Sequence, residues 1–257
     1  MIIDTHAHLS DTKFDADREA VIKRAFDSGV EKIFEIACRT NYWDKTSELL
    51  KQDNIFAAFG IHPNDTAKAS AEDYDKLKTL IQHKKCIAVG EIGLDYHYDY
   101  SPQNINIQKG SFVKQLDTAY KYNKPVIIHC RDAYGDMLDF FKEYKFVSKG
   151  VVHCFSGTPK QAKLFTEAGF LLGIDGPLTY KKSADLKQIV LETDINKLLV
   201  ETDCPYLAPQ EYRGQRNEPS YIIEILKEIA LIKNISFNEA AYITTQNAFN
   251  LFKTDFL

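Results

Sequence analysis

The chain has 257 residues, of which 44% are hydrophobic and 26% charged, with a formal net charge of −4. That length suffices for a large buried core and falls within the range of a single α/β barrel. No apolar run reaches the roughly 18 residues a membrane span needs, and the acidic balance argues against a protein that coats duplex nucleic acid non-specifically.

The first segment, Met1-Ile2-Ile3-Asp4-Thr5-His6-Ala7-His8-Leu9, reads as a strand carrying histidines at i and i+2. On a strand that spacing puts both rings on one face, roughly 6.5–7 Å apart along the backbone. Phe14 to Ser28 reads as a helix with Ala20, Val21, Ala25 and Phe26 apolar, stopped by Gly29. Lys32–Ala37 is a second strand, residues 41–51 a helix, and Ile55–Gly60 a third strand followed by Ile61-His62-Pro63. Ala71–Gln82 is helical. Cys86–Gly90 is a fourth strand closed by Glu91, and a loop through Gly93 and Tyr98 leads to a helix over residues 103–122.

Pro125–His129 forms the fifth strand and Ala133–Tyr144 the helix after it; Val151–Cys154 lies in the sixth strand. The next helix is marked by Ser156 or Thr158 as cap, Pro159 near its first position and Gly169 at its stop. Phe170–Ile174 is the seventh strand, with a short helix over Ala184–Leu191, and Lys197–Glu201 is the eighth. Tyr221–Ile232 is helical, and Ser236 with Glu239 predicts a capping box opening a last helix through Phe252.

Eight apolar runs, each followed by a helix and with no linker between them, predict parallel strands joined by right-handed crossovers. We expect a closed (β/α)8 TIM barrel, a single domain over residues 1–257; an open doubly wound sheet is the alternative, unsupported by any phosphate-binding glycine fingerprint. The five cysteines, Cys38, Cys86, Cys130, Cys154 and Cys204, are odd in number and lack a CxxC pair, so they read as reduced, buried fillers. With no signal peptide evident, a cytoplasmic protein is expected.

Barrel sites lie at the C-terminal strand ends. There the sequence places His6 and His8 on strand one, Glu91 on four, His129 on five, His153 on six and Asp203 on eight. Histidine with carboxylate suits zinc, manganese or cobalt, whereas all-oxygen shells suit magnesium. Six ligands exceed the need of one tetrahedral ion, so two divalent ions are expected: one on His6, His8 and Asp203, one on His129 and His153, with Glu91 bridging. Two ions about 3.5–4 Å apart can activate water and stabilise both attacking and leaving oxygens of a phosphoryl displacement, with Asp203 also able to accept a proton.

The segments Asp4–His8, Gly60–Pro63, Gly90–Asp95, His129–Ala133, His153–Gly157, Glu201–Pro209 and Arg216–Pro219 resemble the TatD family of metal-dependent deoxyribonucleases, which belong to the amidohydrolase-type barrels. The resemblance runs in order along essentially the whole chain. It implies a divalent-metal nuclease releasing nucleotides from the 3′ end of DNA, usually activated by magnesium. It also implies metal-ligand roles for His6, His8, Glu91, His129, His153 and Asp203. The chain departs from the family pattern at Ala7, where cysteine is common, at Cys204, where alanine is, and at Asn64, where a second histidine is frequent.

Other residues carry two readings each. His62 contacts phosphate or water, or stabilises its loop. Arg131 binds phosphate, or pairs with Asp132 or another local carboxylate. Arg213 and Arg216 are candidate phosphate contacts after strand eight. Phe155, Tyr96 and Tyr206 stack on a base or pack, and Glu201 supports a histidine ligand. Single-stranded DNA or its 3′ ends is the expected substrate, with no membrane and no obligate protein partner. The rival substrates are the ester of D-aminoacyl-tRNA or a C–N bond, although strand four ends in Glu91 and not in the lysine that many C–N hydrolases of this barrel class modify. A barrel that binds but has lost catalysis is the remaining alternative.

Overall fold

A computed structural model describes residues 1–144 and 149–253. Its strands are β1 (Ile3–Ala7), β2 (Lys32–Ala37), β3 (Ile55–Phe59), β4 (Cys86–Asp95), β5 (Val126–Arg131), β6 (Gly150–Val152), β7 (Leu171–Ile174) and β8 (Leu198–Val200). They lie side by side in chain order, each parallel to the next. The ring closes just beyond the last strand. Ala7 bridges Cys204, the His8 N–H donates to the Cys204 carbonyl at 2.8 Å, and the Asp203 N–H donates to the His6 carbonyl at 2.9 Å. The result is the expected eight-stranded barrel, not an open sheet.

The helices are α1 (Arg18–Asp27), α2 (Trp43–Leu49), α3 (Ala71–Leu80), α4 (Pro102–Lys121), α5 (Tyr134–Glu143), α6 (Pro159–Glu167), α7 (Ala184–Glu192), α8 (Ile222–Lys233) and α9 (Phe237–Phe252). None among the described residues is long and apolar enough to cross a membrane.

Apolar side chains form two layers. Inside the barrel lie Ile3, Phe34, Ile36, Phe56, Ala58, Ile127, Val151 and Leu199. Ala248, Leu251 and Phe252 of α9 close this interior, with the Phe252 ring 5.2 Å from that of Phe34. Asn247 on α9 donates to the carbonyls of Ile195 and Leu198, both at 2.8 Å, beside the start of β8. The helix therefore seals the N-terminal end and leaves the opposite mouth open. The second layer, between barrel and helices, includes Phe14, Trp43, Phe59, Phe112 and Phe165. Burying each such ring stabilises the fold by about 1.5–3 kcal/mol.

The local departures from the sequence reading have physical causes. Asp11 accepts the Lys13 N–H at 2.8 Å and starts a 3-10 turn, Thr12–Phe14, so α1 begins only at Arg18. Its buried face is Val21, Ile22 and Ala25, and Ala20 is exposed. A second 3-10 turn, Thr40–Tyr42, shortens α2. Thr158, not Ser156, caps α6 and forms a full capping box with Gln161. At α9 only the Ser236 half of the expected box forms, accepting the Glu239 N–H at 3.2 Å.

The most consequential departure is in β4. The register against β5 slips between Gly90 and Ile92, and the strand continues to Asp95. Glu91 therefore sits at an irregularity inside β4 and not at its end, and Gly93–Asp95 is strand where a loop was expected.

Candidate metal centre at the mouth of the barrel

Hydrogen bonds across the ring closure fix the strand ends. Buried Asp4 accepts the Thr202 N–H at 2.9 Å and the Thr202 hydroxyl at 2.6 Å, and Thr5 donates to the Val200 carbonyl at 3.0 Å. Buried Asn217 donates to the carbonyls of Thr202, at 2.7 Å, and Tyr206, at 2.6 Å. Asp203 stands between these anchors with a φ of +54°, a left-handed backbone that is strained for a residue with a side chain and concentrates at functional sites.

The six expected ligands converge. His6 Nε2 lies 3.3 Å from His8 Nε2, and Asp203 Oδ1 is 3.7 Å and 3.2 Å from these two atoms. On the other side His129 Nδ1 is 3.2 Å from His153 Nε2, and each lies 2.6 Å from Glu91 Oε1. The second oxygen of Glu91, Oε2, faces the first set, 3.7 Å from His6 and 3.9 Å from His8. One carboxylate thus addresses both histidine groups, one oxygen to each.

The neighbours choose which ring nitrogen points inward. His8 Nδ1 donates to the Ile36 carbonyl at 2.8 Å, which leaves the Nε2 lone pair on the site. His129 Nε2 meets Asp95 Oδ2 at 3.2 Å, which leaves Nδ1 facing Glu91. Asn64 also donates to Asp95 Oδ2, at 2.9 Å. The Asn64 departure from the family pattern therefore bears on the support of His129.

Burial pushes the Glu91 carboxyl up, but the surrounding His153, His62 and His129 outweigh it and hold the group well below its usual range. Asp203 is likewise raised by burial and lowered, on balance, by its contacts with His8 and His6. At Asp95 the His129 contact and the His97 and Asn64 N–H groups overcome burial and bring the carboxyl to about 2. Burial drives His62 down to about 3. Glu201 goes the other way: burial and nearby Asp175 raise it well above normal.

These donors fit divalent cations. His6, His8 and Asp203 form one set of mutually close ligand atoms, and Glu91, His129 and His153 another. The imidazole nitrogens facing each other at 3.2–3.3 Å can share one N–H between two neutral rings, and with a cation bound both would instead offer it their lone pairs.

A cleft of about 490 Å³ opens over the centre, bordered by His62, Arg131, Tyr206, Arg39 and Tyr42 among others. His62 Nε2 points at Glu91 Oε1 from 3.6 Å while its Nδ1 accepts the Asn64 N–H at 3.1 Å, so it stabilises its loop and faces the site. Arg131 lies over the Tyr98 ring, 5.5 Å from its centre; Asp132, one expected partner, is bonded to His97 at 2.8 Å instead. Tyr206 donates to Asp11 at 2.9 Å at the cleft wall.

Two residues lie elsewhere than the sequence suggested, and two more take the packing alternative. Arg216 is outside the cleft lining, its guanidinium bonded to both Asp17 oxygens at 2.7 Å and to Glu218 at 3.0 Å. A cation already matched by two carboxylates is a poor phosphate ligand. Arg213 is also outside the lining, stacked 4.4 Å over the Tyr180 ring. Phe155 is buried against Tyr134 and Phe165, and Tyr96 is buried with its hydroxyl on Asp136 at 3.0 Å, so neither offers a face to a base. Glu201 accepts the Cys154 N–H at 2.6 Å and lies 3.7 Å from His153 Nδ1, too far for a hydrogen bond. Asp95 went unassigned in the sequence, although it shares strand parity with Glu91 and Gly93.

The sequence profile of the family described as "TatD related DNase" matches residues 3–253. The metal-dependent hydrolase YabD of Bacillus subtilis is 41% identical, over 98% of this chain and 99% of its own length. A Salmonella typhimurium protein named "3'-5' ssDNA/RNA exonuclease TatD" is 30% identical, over 99% of this chain and 100% of its own. The crystal structure of the TatD homologue YjjV from Escherichia coli superposes with a TM-score of 0.91 at 30% identity, covering 98% of both chains. The chain belongs to the TatD family of metal-dependent hydrolases.

Proposed function

We propose that this protein is a deoxyribonuclease that removes nucleotides from the 3′ ends of single-stranded DNA, its whole length serving as one hydrolase domain. The observation that carries the reading is Glu91, whose oxygens divide between two histidine sets. His6, His8 and Asp203 would hold one divalent cation, His129 and His153 a second, and Glu91 both; magnesium, manganese and zinc are the candidates. Bound there, two cations would make water nucleophilic and neutralise charge on the phosphoryl oxygens.

The chain's own groups do the rest. Asp203 turns Oδ1 to His6 and His8, so Oδ2 is the atom left that would accept the water's proton as its oxygen joins phosphorus; the P–O bond to the sugar breaks and the departing oxygen takes a proton from solvent. The Asp95 contact holds the His129 ring, and the Ile36 carbonyl holds that of His8. Arg131, which borders the cleft, would bind a phosphate oxygen. The nucleic-acid substrate is supported by the name of the Salmonella relative and by the size of the cleft. Unpaired cysteines support a reducing, cytoplasmic setting.

The test is release of nucleotide from 3′-labelled single-stranded DNA, with RNA and a D-aminoacyl-tRNA assayed beside it. Release that stops with chelator and in Asp203→Asn supports the reading. Deacylation without nucleotide release would replace it with the ester hydrolase.

A further inference from the structure

The barrel interior sends one unexpected group into the metal centre. Phe34 and Ile36 of β2 point into the barrel, and the period of two continues to Cys38, the residue after the strand, which belongs to the same interior layer. It is the uppermost member of that layer on β2 and borders the cleft, though only 7% exposed. Its backbone is pinned by the His62 N–H, which donates to the Cys38 carbonyl at 2.9 Å. One ligand atom each from His8, Cys38 and Glu91 lie within 4.8 Å of one another. The same strand turns His8 to present Nε2, through the Ile36 carbonyl.

A purely apolar filler at this height would meet a carboxylate and an imidazole. A thiol meets them as a potential ligand, and it is soft where Asp203 and Glu91 are hard. We propose that Cys38 is a thiolate ligand for the cation held by His8 and Glu91, biasing that position towards zinc or cobalt over magnesium. On binding, the Sγ–H bond breaks, its proton leaves to solvent, and a bond forms from sulfur to the cation; no electrons are transferred. Cys38 is buried as the sequence leads one to expect, and the ligand role is added to that packing role.

The proposal rests on the two-cation reading of the centre and not on its substrate. The test loads full-length protein with Co²⁺, measures cobalt content, and records the near-ultraviolet thiolate-to-cobalt charge-transfer band. Wild type should show it; Cys38→Ser and Cys38→Ala should bind cobalt and lose it, while Cys130→Ser and Cys154→Ser, at the other cysteines bordering the cleft, should keep it. Calorimetric titration should show zinc binding weakened roughly tenfold or more in Cys38→Ser, with magnesium binding little changed. Cobalt bound to wild type without the band, or a band persisting in both Cys38 variants, overturns the thiolate ligand and leaves the centre standing. Failure of wild type to bind cobalt, zinc or magnesium at all overturns both.

Discussion

His129 leans on Asp95. Nε2 of the ring meets Oδ2 of the carboxylate at 3.2 Å, and the opposite nitrogen is thereby left to face Glu91. A carboxylate behind a ligating imidazole fixes its tautomer and orientation and increases its basicity. Asp95→Asn keeps the shape but removes the charge. Metal affinity should fall by about 10–100-fold, read by calorimetric titration, while circular dichroism stays native. Unchanged affinity would mean that Asp95 does not position the ring.

Cation removal should destabilise the whole fold, because the donors come from strands across the barrel. A ligand present at about 100 times its Kd stabilises the native state by about 2.7 kcal/mol, and about 1 kcal/mol moves Tm by roughly 2–4 °C in a chain of this size. Chelation should therefore lower Tm by about 5–10 °C, with recovery on adding back zinc, manganese or magnesium. A calorimetric trace indifferent to chelator would count against the metal centre itself.

Glu91→Gln should lose more than either histidine set alone, since it weakens a carboxylate whose two oxygens face both sets. We expect cation content to drop and hydrolysis to fall by about 100-fold or more. Metal analysis beside the nucleotide-release assay checks both. Full cation content with full activity would remove Glu91 from the centre.

The barrel and the six converging residues were legible because each leaves a local mark: an apolar run, then a polar side chain at its end. Where the mark was absent the sequence was silent. Asp95 was missed because the apolar run of β4 stops at Gly90, and nothing local reveals that pairing with β5 resumes beyond the slip at Gly90–Ile92. Arg216 looked free, although Glu218 stands two residues on, because the carboxylate it grips with both nitrogens, Asp17, lies 199 positions away, a distance over which charge patterning is blind.

Gly173 on β7 makes room for Glu201. A Cβ built there would fall 2.5 Å from both carboxylate oxygens of Glu201. Gly173→Ala should therefore displace Glu201 from the Cys154 N–H it bonds at 2.6 Å, next to His153. Overpacking of this kind costs about 1–3 kcal/mol, and the loss of support beside His153 should weaken metal binding as well. Denaturant unfolding and metal titration of the same variant measure the two effects; a variant native in both would show that the carboxylate has somewhere else to go.

Arg216 ties the loop after β8 to the segment before α1, through Asp17 and Glu218, with Arg24 on the far side of Glu218 at 2.8 Å. The Arg216 bonds hold the Asp17 carboxyl below its usual range. Burial raises Glu218, but Arg24 and Arg216 together bring it down on balance. A carboxylate depressed in the folded state stabilises fully above its unfolded pKa and loses that contribution as pH falls through the folded value. The stability gap between wild type and Arg216→Ala should thus be steady near neutral pH and narrow on acidification below the ordinary carboxylate range, about 4. Near neutrality we expect a gap of about 1–2 kcal/mol, with KM for single-stranded DNA unchanged because the guanidinium lies outside the cleft lining. Urea unfolding across pH, with a KM measurement alongside, decides it: a raised KM with unaltered stability would restore Arg216 as a substrate contact.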